Sequence, residues 1–231
     1  MKNATEHAKS LSQLLSRVAP AEPDTAAQQS PVERLIFAFL AWEATHTKAQ
    51  HAYGRLMNQA VDFNDLRVSD PSDIAAVIGA NYPRSLERGQ RLRSTLNAIY
   101  RREHAVDLSA LAEKPKREVR AYLDSLEGMV PFVSASVTLL AFGGHAIPLD
   151  EQLYRRLAGD GVVEPTATFE ETQAFLDHHI RFEDAVEAHA KLRAYVEQSI
   201  RFEAAAPRKR PTKKASTKKS KKPTKKAGAG R

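Results

Sequence analysis

Gly128, Met129 and Val130 sit between two apolar runs with helical spacing, and Asp150 follows 22 residues after Gly128. The first run ends Leu123-x-x-Leu126-x-Gly128, and glycine takes the positive φ that closes a helix. Pro131 then occupies the first position of the next helix, where its missing N–H costs nothing; Val133, Val137 and Leu140 carry that helix on. Such a hairpin leaves backbone N–H groups open at a helix N-terminus, a ready site for an anion such as a phosphodiester. The same residues would equally make an ordinary helix corner. Asp150 stands behind the small-residue loop Phe142-Gly143-Gly144-His145 and the apolar Ile147-Pro148-Leu149, where it is a good N-cap for a following helix.

On these residues the chain resembles the helix-hairpin-helix DNA glycosylases of the endonuclease III superfamily, whose motif runs Leu-Pro-Gly-Val-Gly, then a small-residue helix, Phe-Gly and Val-Asp. Leu126, Gly128, Phe142, Gly143, Asp150 and Arg155 match it without a gap, and Pro31 to Ala49 is similar to the family's first helix pair. The resemblance spans about residues 30 to 200. It implies an all-α, two-lobed, endonuclease III-like helical fold with a substrate cleft between the lobes. It also implies double-stranded DNA as partner, phosphate contacts from Gly128, Met129 and Val130, and a catalytic carboxylate at Asp150. That carboxylate would activate water or stabilise the oxocarbenium-like sugar as a flipped base leaves.

The departures from the pattern are chemical. The position of the Schiff-base lysine holds Phe132, which is no nucleophile, so lyase chemistry through a lysine there is excluded. The second hairpin glycine is Val130, where a need for positive φ would strain a β-branched residue. The family's glutamine near the flipped base is Glu43, and a histidine two residues after the aspartate is Gln152. Glu43 would repel phosphates but could accept from a cytosine amino group, or it could be a solvated helix charge. Trp42 and Tyr82 could stack on a base or simply belong to the core. The chain has no cysteine, which rules out the iron–sulfur cluster of many relatives, disulfides and thiolate metal sites. His179 and Glu183 give one i, i+4 pair without a third ligand, so no metal is expected. Nor does any phosphate-binding glycine motif support a nucleotide cofactor; no cofactor of any kind is expected.

Capping and periodicity place the elements that must hold these residues. Ser30, Pro31 and Glu33 read as a capping box opening a helix with Leu35, Ile36, Phe39 and Leu40 on its buried face. Further helices are expected near 47–60, 70–78, 85–104, 116–126, 151–157, 169–179 and 183–201, about ten in all. A first helix within residues 1–18 and a loose arm would make up 1–29, and the helical domain 30–203. Between Arg84 and Arg120 ten bases stand against five acids, a candidate DNA face.

The formal charge of +7 conceals a division: twelve bases and no acid lie from Pro207 onward, leaving residues 1–206 at −5. PTKKA occurs at 211–215 and again at 223–227. The segment 204–231 is too poor in apolar residues to fold and is expected to be a disordered basic C-terminal tail, similar to the arms of linker-histone-like bacterial proteins. Lys213, Lys214, Lys218, Lys219, Lys221, Lys222, Lys225 and Lys226 would bind DNA by releasing counterions. No apolar run reaches the roughly 18 residues of a membrane span, and no signal peptide is read at the start. A soluble, monomeric, cytoplasmic protein on the nucleoid, without a membrane partner, is the expectation. Two functions follow: a monofunctional DNA glycosylase of base excision repair using Asp150, or a catalytically inactive, chromosome-associated DNA-binding protein on the same scaffold.

Overall fold

Eleven α-helices and one 3₁₀ turn build the described part of the chain, which in the computed structural model comprises residues 3–20, 30–79 and 81–205. The eight tail lysines and the arm at 21–29 lie outside the described residues. The helices are α1 (Ala4–Arg17), α2 (Pro31–Ala41), α3 (His46–Gln59), α4 (Phe63–Val68), α5 (Pro71–Ile78), α6 (Ser85–Glu103), α7 (Lys116–Asp124), α8 (Pro131–Leu140), α9 (Glu151–Gly159), α10 (Phe169–His179) and α11 (Ala185–Ala205). No strand occurs among the described residues, as the all-α reading expected.

The caps explain why several boundaries were legible. The Ser30 hydroxyl accepts from the Glu33 N–H while the Glu33 carboxylate accepts from the Ser30 N–H, which opens α2 as a closed capping box. Thr168 and Glu171 repeat the device at α10. The sequence reading missed α4, a six-residue helix capped by Asp62 with Leu66 alone buried. One apolar residue is too little period to detect; α4 exists because it leans on α6. Helix α11 runs four residues beyond its expected end, to Ala205.

Two apolar cores form. The larger gathers α2 through α8, with Leu35, Ile36, Phe39, Leu92, Leu96 and Val133 at its centre. The smaller packs Leu11 of α1 against Leu153, Leu157, Leu176, Leu192 and Val196 of the C-terminal helices. Helix α8 joins them: every residue from Phe132 to Leu139 is buried, and Leu139 lies in the second core. A helix apolar all round belongs inside a protein rather than on its face, so α8 sits between the lobes and fixes the hairpin at its N-terminus.

One member of the expected basic face belongs to the core instead. Arg88 is completely buried, and its guanidinium donates to the carbonyls of Phe39, Trp42 (2.7 Å) and Pro83 (3.0 Å). It thereby satisfies carbonyls left open at the C-terminus of α2. Tyr82 closes the same end by donating to the Leu40 carbonyl at 2.6 Å. Burial pushes the Arg88 guanidinium down to about 10, which leaves it charged at neutral pH. Arg88→Ala leaves those carbonyls unpaired around a void, so we expect a loss of about 3 kcal/mol or more in urea unfolding. A loss below about 1 kcal/mol would show that water replaces the guanidinium freely.

Candidate functional site

The hairpin between α7 and α8 is held from one side by α6. Arg102 donates to the hydroxyl and carbonyl of Ser125 (both 2.8 Å), Thr95 donates to the Glu127 carbonyl (3.0 Å), and Arg101 pairs with the Glu127 carboxylate (2.7 Å). Gly128 takes φ +83°, and a Cβ there would lie 2.6 Å from the Arg91 carbonyl oxygen and 2.9 Å from Ser94 Cβ. Glycine is required twice, by the turn and by the close approach to α6. Val130 is extended at φ −114°, so the strain expected of a β-branched residue there does not arise. The Met129 N–H is spent within the turn, donating to the Leu126 carbonyl at 3.1 Å. Among the described residues the N–H groups of Gly128 and Val130 have no protein acceptor, and α8 has no side-chain cap. The Glu127 N–H is open in the same way, so among the turn residues 127–130 only Met129 spends its donor internally.

Much of the basic surface beside it is already paired. Arg84 and Arg91 bind Glu87, Arg101 binds Glu127, and Arg120 binds Asp124. These exposed pairs are individually weak, but they reduce the free positive charge that a polyanion would meet.

Asp150 and Glu43 are brought together as neighbours, along with Phe132 and Val130, around a cavity of about 290 Å³. Asp150 caps α9, Oδ1 accepting from the Leu153 N–H at 2.9 Å, and Oδ2 accepts from the Glu43 N–H at 3.2 Å. A third donor is Arg193, whose Nη1 lies 3.1 Å from Oδ2. The Asp150 side chain is wholly inaccessible to solvent, and that of Arg193 nearly so at 12%. The other amino group of Arg193 donates to the carbonyls of Ala41 (3.1 Å) and Ala44, and the guanidinium stands 5.5 Å from the centre of the Phe132 ring. A fixed positive charge on α11 therefore lies beside both Phe132 and the aspartate. Burial and the guanidiniums of Arg193 and Arg34 push His189 down to about 3, so it adds no charge to this group at neutral pH.

Sequence reasoning did not find Arg193. It lies 43 residues from Asp150 on a helix of mixed charge, where nothing in its spacing separates it from a solvated arginine. Glu43 is not the solvated helix charge that was one reading of it. It follows the end of α2 at φ +50°, with a side chain 13% exposed and Oε2 3.0 Å from Arg84 Nε. Burial pushes its carboxyl up, with Arg84 opposing and Asp150 adding to the rise. Trp42 is buried under three guanidiniums, those of Arg84, Arg88 and Arg91, and Tyr82 under Arg88, so both aromatic rings serve the framework. No group of three or more metal-ligating side chains occurs among the described residues, and no described helix is long and apolar enough to cross a membrane.

Removing one partner from a buried ion pair strands the other charge. Arg193→Ala should cost about 3–5 kcal/mol in urea unfolding, and adding Asp150→Asn should return a large part of it. Losses that simply add would show that the two side chains are not coupled.

No family model matches the chain, and no curated protein matches it. Solved structures do match in fold. Endonuclease III in a trapped covalent complex with DNA is 18% identical, with 84% of this chain and 86% of that one covered at a TM-score of 0.63. A thermostable thymine-DNA glycosylase is 18% identical over 90% of both chains at a TM-score of 0.57. The 3-methyladenine DNA glycosylase of H. pylori, bound to 1,N6-ethenoadenine, is 15% identical, covering 87% of this chain and 98% of that one at a TM-score of 0.58. With these likenesses and the two lobes, the hairpin and the capped aspartate between them, the chain has the fold of the endonuclease III superfamily of helix-hairpin-helix DNA glycosylases.

Proposed function

We propose that the protein is a DNA-binding member of this fold that does not excise bases through Asp150. The hairpin donors of Gly128 and Val130 take a phosphate of duplex DNA, and the Lys-rich segment 207–231 tethers the monomer to the chromosome through counterion release. The observation that carries the reading is the ion pair of Asp150 with Arg193. A catalytic carboxylate must face the positive charge that develops on the sugar. Here both oxygens are engaged, none of the side chain reaches solvent, and a guanidinium 3.1 Å away opposes the carboxylate's field. The charge that would stabilise an oxocarbenium ion is spent inside the protein.

The alternative, a monofunctional glycosylase, has one observation in its favour. Glu43, unlike Asp150, keeps part of its side chain exposed on the cavity, and burial pushes its carboxyl up while Arg84 opposes the rise, so it is the carboxyl that a bound base could meet. Single-turnover base release separates the two readings. The purified chain is incubated with duplexes carrying uracil, oxidised, alkylated or mismatched bases, followed by alkali to reveal abasic sites. We expect tight binding and no release. Alkali-dependent strand breaks that disappear in Asp150→Asn while duplex binding and urea unfolding are retained would establish the aspartate mechanism, and breaks lost only in Glu43→Gln would assign the chemistry to Glu43.

The tether makes its own prediction. Deleting 207–231 removes twelve positive charges, so the affinity for duplex DNA should fall sharply and the slope of log K against log salt should drop by several units. Unchanged binding would rule the tether out.

A further inference from the structure

The negative charge of the body is unevenly placed. Residues 141–206 hold twelve acids and six bases, a net −6, whereas residues 1–140 hold 16 acids and 17 bases. Helix α1 packs on this second lobe and offsets one charge, with Lys9 and Arg17 against Glu6. On the turn into α11, Phe182 is 62% exposed and Val186, four residues on, 54%. The Phe182 ring rests 6.3 Å from that of His145. Glu183 and Asp184 are exposed, and their carboxylates have no partner among the described residues. Glu187 pairs with Lys191 at 2.7 Å, and Arg181 is the exposed base of the turn. Beside them a groove of about 360 Å³ opens between α1 and α11, lined by Leu11, Leu15, Ile180, Asp184, Glu187 and Ala188. Acids at a helix N-terminus favour the helix by themselves. Two large apolar side chains left in water on one face, next to an apolar groove, mark a contact surface.

A segment of the same chain has the matching chemistry. The repeat PTKKA at 223–227 sets a proline beside two lysines; prolines dock on aromatic rings in peptide recognition, and lysines pair with carboxylates. Its reach also fits. Helix α11 has 21 residues, so about 30 Å separate its end from this face. The first PTKKA begins six residues past Ala205 and so starts within about 20 Å of it, whereas the second begins eighteen residues past and reaches out to about 60 Å. The second repeat can therefore lie on the face. DNA is the wrong occupant, because a lobe of net −6 repels phosphates. The tail of another copy must compete with one already attached, whose effective concentration is on the order of millimolar.

We propose that the repeat 223–227 docks on the 182–187 face of its own second lobe when no DNA is bound, with Lys225 and Lys226 at Glu183 and Asp184 and Pro223 against Phe182. Duplex DNA competes with the lobe for the same lysines, so the tail is held back until a stronger polyanion displaces it. The docking stands on charge and reach, and the competition rests on the DNA-binding reading above.

The chain has no cysteine, so Gly228→Cys gives the full chain a single attachment point for a nitroxide, and the amide signals it broadens show where the repeat lies. At about 0.05 M salt, where screening is weak, the signals of residues 181–187 should fall to about half or less of their height in the reduced sample, given the millimolar effective concentration. Those of α6 should stay unchanged. The broadening should vanish at about 1 M salt, where the screening length is about 3 Å. It should vanish equally in Lys225→Gln with Lys226→Gln, in Glu183→Gln with Asp184→Asn, and on saturation with duplex DNA. No broadening at 181–187, or broadening that survives either pair of substitutions, would overturn the docking. Broadening of isotope-labelled chains by separate nitroxide-labelled copies would move the contact to a second molecule and overturn it as well. Broadening that persists with DNA bound would overturn the competition. A chain that binds no duplex would remove the DNA-binding reading and the competition with it, while the docking is still decided by the same signals.

Discussion

The guanidinium of Arg193 is where the two lobes depend on each other. It leaves α11, meets the Asp150 carboxylate at the N-terminus of α9, and ends on the carbonyls of Ala41 and Ala44 at the close of α2. One helical turn later Glu197 of α11 accepts the His46 N–H that opens α3. A cation thus meets the negative end of one helix and an anion the positive end of the next, the arrangement that helix dipoles favour. The turn between α2 and α3, which carries Glu43, is gripped by α11 from both ends. Without that grip the left-handed conformation of Glu43 would have little to sustain it.

The aspartate therefore has several structural duties in this chain: it caps α9, holds Glu43 and balances Arg193. A carboxylate so occupied is preserved by folding alone, whatever chemistry surrounds it. Its presence at the matching position of a glycosylase motif is weaker testimony to catalysis than its environment, because a buried charge survives only if it is paired. Phe132 fits the same picture. An aromatic ring beside a buried guanidinium is a favourable neighbour, where an ammonium would add a second positive charge next to Arg193.

How much could be read from the amino-acid order follows the range of the interactions involved. Helix α2 was legible because Ser30, Pro31 and Glu33 write its start within four residues; the same device at α10, Thr168 with Glu171, went unread. The hairpin was legible because Gly128 and Pro131 carry backbone requirements that no distant contact is needed to explain. Arg88 and Arg193 were not, since an arginine whose fork ends on carbonyls 46 or 152 residues away looks like any surface arginine. The place of Glu43 at the cleft came from the resemblance; its left-handed backbone and its bond to Arg84 depend on residues 150, 152 and 84 and could only be seen in the fold.

The distribution of charge bears on how the proposed DNA binding would divide between body and tail. Residues 1–206 carry a net −5, and Arg84, Arg91, Arg101 and Arg120 are already bound to carboxylates, so the body has little long-range attraction for a polyanion. Strength would then come from the twelve bases beyond residue 206, whose contact with phosphate carries no sequence information. Direction would come from the short-range parts, the free hairpin donors, which act only once DNA is in place. An acidic group at a cleft mouth suits that division. It opposes indiscriminate phosphate contact at the cleft, and so increases the difference between a site and the surrounding duplex without adding affinity.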